Sequence, residues 1–430
     1  MKRLPLLLLF LFAAWLPGLA QAQEGVIRVL DSAARGDFPQ SITFSLEAES
    51  SSPITQVVLQ FRVQRTSCAP SLATEKPSFT SGNRASVSWK WELKKIGGLP
   101  PGSQVEFRWQ IGDSAGSQLT TEWQPFEFQD QRFQWQELKG EGLTLFWYRG
   151  NETFAQALVA AGEAALERLN REAGAQLREP AHLFIYGSSD ELRQALVFSA
   201  EWTGGVAFPG TGLIALSIPP DALEWGRRAV AHELAHLVIG ALTFNCYSDL
   251  PTWLNEGLAV YAEGEDSADN TAKLQNAVAQ GQLISVQSLS GSFPADSSQA
   301  NLAYAQSRSL VAFLIERYGP EKMRELLLIF QGGSRYDPAL KTVYGFDTEG
   351  LDTAWRVWLG LGPRPLPTLT PNPTPTPILM ATPTPRAGGG SCQPSLQSGG
   401  GWGASLAILV GLLMPPAAQL YLQSRRRRHS

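Results

Sequence analysis

The stretch Ala229-Val-Ala-His232-Glu233-Leu-Ala-His236-Leu-Val-Ile-Gly240 constrains this chain more than any other. It is an apolar run of helix length carrying three groups that such a run normally excludes. Histidines at i and i+4 stack on one face of a helix, one turn apart, so both rings can grip the same ion. Glu233 lies about 100° further round the helix, which aims it beside that ion rather than onto it. Read as plain core, the segment would have to satisfy two imidazoles and a carboxylate without water, which is costly. The chain has only four histidines, His182, His232, His236 and His429, so composition does not explain the spacing.

A second stretch, Trp253-Leu-Asn-Glu256-Gly-Leu-Ala259, follows closely. Its pattern predicts a helix from about Pro251 to Glu263, with Pro251 suited to the first turn. Trp253, Leu254, Leu258, Ala259 and Tyr261 bury most of that helix, where a lone carboxylate is expensive unless paired. A metal ion relieves Glu256 of that cost and makes it the third ligand beside His232 and His236. Two imidazoles and a carboxylate suit Zn2+ and leave one tetrahedral position open, the mark of a catalytic rather than a structural site. Glu233 can then reach water at the open position as a general base. Glu263 shares a face with Glu256 and Val260, and reads either as a partner of the site or as a solvated helix end. His182 reads as a strand residue. Cys68, Cys246 and Cys392 have no ligand spacing and form no disulfide framework; if two pair, one is left over.

Around these motifs the pattern alternates strands and helices. Strands are expected at Leu143–Tyr148, His182–Tyr186 and Gly212–Ile218, and a helix at about Thr153–Gln176. Asp221 reads as the N-cap of the helix bearing the two histidines, and Gly240 as near its end. Further helices are expected at Asn301–Leu314, running on to Tyr318-Gly319, and at Glu321–Gln331 and Leu351–Leu359. Residues 23–131 differ: Ile42–Ala48, Val57–Val63, Val87–Leu93 and Val105–Ile111 alternate with period two, separated by Pro, Gly and Ser clusters. Four such runs predict an antiparallel β-sandwich, loosely resembling immunoglobulin or fibronectin-type modules. Its tryptophans read as core, with a carbohydrate platform as the other reading.

His232-Glu-Leu-Ala-His236, nineteen intervening residues and Asn255-Glu256-Gly257-Leu-Ala259 resemble the gluzincin metallopeptidases, in particular the peptidase MA-like branch related to the zinc aminopeptidases. The resemblance spans roughly Phe133 to Leu361 and is specific over the two motifs. It implies an α+β chain: an N-terminal β-sandwich, then a thermolysin-like catalytic domain at 132–362 with an edge strand along its cleft and a mainly helical second half. It also implies zinc on His232, His236 and Glu256, Glu233 as base, and a peptide or protein substrate. A tyrosine opening a later helix stabilises the oxyanion in the aminopeptidases, and Tyr304 matches that place; a packing role for it stands equally open. One departure is plain. The aminopeptidases carry Gly-Ala-Met-Glu-Asn ahead of the histidines, its glutamate holding the substrate's free amino group. Here the comparable place reads Gly205-Val-Ala-Phe-Pro209, without a carboxylate.

The two ends address the chain outward. Lys2-Arg3, an apolar run to about Trp15 and Ala20-Gln21-Ala22 read as an export signal over residues 1–22, an uncleaved anchor being the other reading. Residues 363–401 are Pro/Thr- and then Gly-rich, a linker whose Pro/Thr part reaches roughly 75 Å at ~3.1 Å per residue. Residues 402–422 have the length of a membrane helix, and the basic tail 423–430 with Arg425–Arg428 predicts a cytoplasmic end; a sorting tail removed after export is the alternative. A net charge of -4 leaves no footprint for nucleic acid. The competing functional reading is a surface binder that keeps the peptidase fold as scaffold and recognises through its β-domain.

Overall fold

The computed structural model describes residues 26–69, 71–196 and 204–364. The expected export signal, membrane span and basic tail, Cys392, and all but the first two linker residues lie outside them. Among the described residues no helix is long and apolar enough to cross a membrane.

Period-two alternation in the first part yields β1 (Arg28–Asp37), β2 (Ser41–Val63), β3 (Ala73–Glu75), β4 (Gly82–Glu92), β5 (Ser103–Asp113), β6 (Gln118–Thr120) and β7 (Gln124–Phe128). They form one seven-stranded sheet. The sequence reading separates 42–48 from 57–63, whereas the structure makes them one strand, β2. Its first half pairs with β1 and β4, its second with β5 and β3. Phe44 and Phe61 would be roughly 56 Å apart if β2 ran straight at about 3.3 Å per residue. Their ring centroids are 5.4 Å apart. The strand therefore doubles back, and its pairing with β4 slips between Glu49 and Ile54, where Pro53 stands. The result is a sandwich made from one folded-over sheet rather than from two sheets. Phe44, Phe61, Phe107 and the fully buried Trp109 fill it, and Trp89 and Trp91 pack onto Phe61, which places these tryptophans in or against the core.

The second part begins with β8 (Gln136–Gly140) and β9 (Leu143–Trp147). There follow α1 (Glu152–Ala173), β10 (Ala181–Tyr186), α2 (Ser189–Ala195), β11 (Gly205–Phe208), β12 (Leu213–Ser217) and α3 (Leu223–Leu242). The sheet order is β11-β12-β10-β9-β8, with antiparallel strands at both edges and parallel ones between. Leu145, Leu183, Ile185, Ile214 and Leu216 face α1 and α3. Phe184, Tyr186, Leu213 and Ala215 face the other way, covered by α2, by Phe133 and Trp135, and by Phe38 of the first part. Gly102 sits so close that an added Cβ would lie 2.7 Å from the Phe184 ring. Tyr186 Oη donates to the buried Asp130 at 3.0 Å across the junction. A disulfide joins Cys68 to Cys246, and Thr66 N donates to Gly210 O at 2.7 Å.

The remainder is helical: α4 (Thr252–Ala262), α5 (Ala268–Gln280), α6 (Val286–Leu289), α7 (Ser297–Tyr318), α8 (Pro320–Gln331), α9 (Tyr336–Tyr344) and α10 (Thr348–Trp358). Helix α3 lies between this half and the sheet. Val230, Leu234 and Leu237 join the sheet-side core, and Ala235, Val238 and Ile239 join the helical one. A helix apolar on all sides belongs in such a place. Asp221 is not its N-cap. Pro219-Pro220 leads into a 3-10 turn over Pro220–Ala222, which moves the helix start on to Leu223 with Ala222 at the cap and no side-chain capping bond.

Candidate metal centre

His232 and His236 lie in the middle turns of α3, and Glu256 on the second turn of α4, all three buried. Nε2 of His232 and Nε2 of His236 are 3.1 Å apart, and Glu256 Oε2 lies 3.6 and 3.5 Å from them. A tetrahedral zinc with bonds of about 2.0–2.1 Å separates its ligand atoms by about 3.3–3.4 Å, so the triangle fits that ion. Glu256 Oε2 is buried and accepts no hydrogen bond, an arrangement that makes sense for an atom facing a cation. His182 lies edge-on to Phe146 on β10 and is outside the cluster.

The far side of each ring is also held. His232 Nδ1 meets Glu263 Oε1 at 2.8 Å, and His236 Nδ1 meets Asn255 Oδ1 at 3.2 Å. Such contacts fix ring orientation and leave Nε2 free for a metal. They decide between the two readings of Glu263: its side chain is only 9% exposed and bonded to His232, not a solvated helix end. Asn255 was legible only as the residue before a ligand; its contact depends on how α4 crosses α3. Burial opposes a charge on His232, yet the Glu256 and Glu263 carboxylates outweigh it and raise its pKa to about 10. On Glu256 burial is likewise outweighed, here by the two imidazoles, and its pKa falls to about 2.

Glu233 is fully buried, and neither carboxylate oxygen is hydrogen-bonded. Burial raises its pKa above the usual carboxylate range, against the pull of His236 and His232. Strand β11 passes over it: a Cβ on Gly205 would stand 2.8 Å from Glu233 Oε1 and 2.5 Å from Leu216 Cδ2. Gly205 is therefore the residue that makes room for the acid. Tyr304 is 9% exposed, its ring 6.5 Å from that of His232 and 5.1 Å from that of Phe293. It does not open its helix. Asp296 caps α7 earlier than the apolar pattern suggests, which puts Tyr304 two turns in, packed on Val260. Burial raises its phenol well above the usual range, so it remains a donor.

Residues 160–360 match the family model of the peptidase MA superfamily. Among solved structures the chain is similar to aminopeptidase A of Legionella pneumophila, with 10% identity and a TM-score of 0.32, over 76% of this chain and 50% of that one. OgpA of Akkermansia muciniphila, solved as an inactive form with an O-glycopeptide, is 12% identical over 25% of this chain and 29% of its own, with a TM-score of 0.19. A family 56 carbohydrate-binding module, a β-1,3-glucan binding domain, is 15% identical over 22% of this chain and 95% of its own, with a TM-score of 0.15. The chain thus spans half the length of the aminopeptidase and under a third of OgpA. No curated protein sequence matches it.

Proposed function

We propose, from the match of residues 160–360 to the peptidase MA superfamily, that the chain is a zinc-dependent peptidase holding its metal on His232, His236 and Glu256. The observation that carries the proposal is the buried triangle of donors, 3.1 to 3.6 Å on a side, with an unbonded acid beside it. Bound zinc would supply Lewis acidity, polarising the scissile carbonyl and making water acidic near neutral pH.

The chain's own residues supply the rest. Glu233 takes a proton from the attacking water onto a carboxylate oxygen and returns it to the departing amine nitrogen. Its raised proton affinity suits both halves of that transfer. Tyr304 donates from Oη to the carbonyl oxygen as it gains charge. Glu263 and Asn255 hold the two imidazoles still. Among the described residues β11 is the last strand in its sheet, so an extended peptide can pair along it above Glu233. Gly205–Pro209 offers no carboxylate to a free amino terminus, which supports cleavage within chains over terminal trimming.

The substrates are placed outside the cytoplasm, with the enzyme exported and held at the cell surface through the span expected at 402–422. The Cys68–Cys246 disulfide supports an oxidising compartment. Zinc content and cleavage of a mixed peptide library, wild type against Glu233→Gln, test the proposal. The variant keeps one zinc per chain and loses about 10²–10⁴-fold in rate. Undiminished cleavage sinks the mechanism, and a wild-type protein without stoichiometric zinc sinks the ligand set.

A further inference from the structure

Glu263 follows the last residue of α4 at the C-terminal end of that helix, its side chain 9% exposed. That is the end of a helix where negative charge is least favourable. Two guanidinium groups from other helices meet it there. Arg168, on α1, donates from Nη1 to Ala262 O. Arg308, on α7, donates from Nη2 to Gly264 O at 3.2 Å. The two carbonyls belong to the residues on either side of Glu263, so its backbone is gripped from both directions.

The surroundings fix these arginines in turn. The Arg308 guanidinium lies 5.6 Å from the centre of the Tyr261 ring, and its Nε faces Asp266 Oδ1 at 3.4 Å. Gly264, at φ +112, turns the chain away directly after Glu263, and a Cβ there would stand 3.4 Å from Arg168 Nη2. Helical bonding is already lapsing at this point: Glu263 N and Gly264 N make only 3.3 Å bonds to Val260 O and Tyr261 O. Without side-chain anchors, the last turn has little to set the direction of Glu263. With them, Glu263 Oε1 arrives 2.8 Å from His232 Nδ1.

We propose that Arg168 and Arg308 are positioning residues for the metal centre. They hold Ala262 and Gly264, so Glu263 meets His232 from one direction and the His232 ring presents Nε2 to the ion. This rests on the metal reading given above. It gives a role to two arginines that belong to neither motif and that come from two different helices, α1 and α7.

The test is the zinc dissociation constant of the full chain, measured by competition with a chromogenic chelator. Wild type is compared with Arg168→Gln, Arg308→Gln, Arg308→Lys, Glu263→Gln and the Glu263→Gln/Arg308→Gln double variant. Each single Gln variant weakens zinc binding about tenfold. Arg308→Lys, which keeps charge and a donor, restores most of the loss. The double variant binds no more weakly than Glu263→Gln alone, because the arginine acts through that carboxylate. Wild-type affinity in the arginine variants overturns the inference, and so do losses that multiply in the double variant. Should one arginine variant fail to fold, the other decides, since it anchors from a different helix. A wild-type chain that binds no zinc overturns the metal reading instead, and this inference with it.

Discussion

At the scale of single residues, the centre depends as much on absent side chains as on present ones. Gly205 leaves the space that Glu233 fills, and a methyl group there meets both Glu233 and Leu216. Gly205→Ala is expected to push the carboxylate aside by the order of an ångström and lower kcat by roughly 100-fold. Zinc content stays at the wild-type level, which metal analysis beside the rate measurement checks. Tyr304→Phe removes only a hydroxyl from a packed ring. If that hydroxyl serves the developing oxyanion, kcat falls by about 10²–10³ with KM little changed; an unaltered kcat returns Tyr304 to the core. The residues His232, Glu233, His236 and Glu256 could be read from sequence because helical periodicity turns spacing into direction. Gly205 could be read only as a missing carboxylate. Its role comes from a strand crossing a helix, and that crossing is not local.

At the scale of elements, the second motif owes its glycine to a helix crossing. An added Cβ at Gly257 would lie 2.4 Å from Ser307 O, so α4 and α7 touch backbone to backbone there. Gly257→Ala must part them, at a cost of about 1–3 kcal/mol, and it moves the neighbouring Glu256 with the helix. Urea denaturation of the apoprotein and zinc titration are expected to show both effects together; a loss of stability without loss of zinc affinity means Glu256 follows its metal rather than its helix. Two of the helices that sequence periodicity missed, α5 and α6, are weakly patterned. Helix α5 buries only Ala277, with Leu274 and Val278 partly buried beside it, and α6 spans only Val286–Leu289, so neither carries a long apolar face. β2 failed in the opposite sense: Ser50-Ser-Ser-Pro53 reads as a turn between strands, while the structure runs one extended strand through it, its ladder with β4 breaking after Glu49 and resuming at Ile54.

At the scale of the whole molecule, a β-rich part precedes a mixed α+β part, an order legible in sequence because period-two and helical spacing are local properties. Sequence was silent on how far each completes the other. Phe38 and Gly102 cover the sheet face that carries Phe184 and Leu213, so the first part supplies one layer of the second. The Cys68–Cys246 bond closes a sequence separation of 178 residues around this junction. Replacing both cysteines by serine is expected to lower the unfolding free energy by about 2–4 kcal/mol, seen as a fall in the urea midpoint. Unchanged stability would mean that the buried junction alone holds the parts together. Cys246 also lies on the stretch of chain between His236 and Glu256, the link that brings α4 back onto α3. Oxidation and metal loading are therefore events on the same loop, and they have a natural order. On the proposed metal reading, a chain that has docked its first part and formed the bond would offer an ion a site already gathered, whereas a reduced one would have to gather it around the ion.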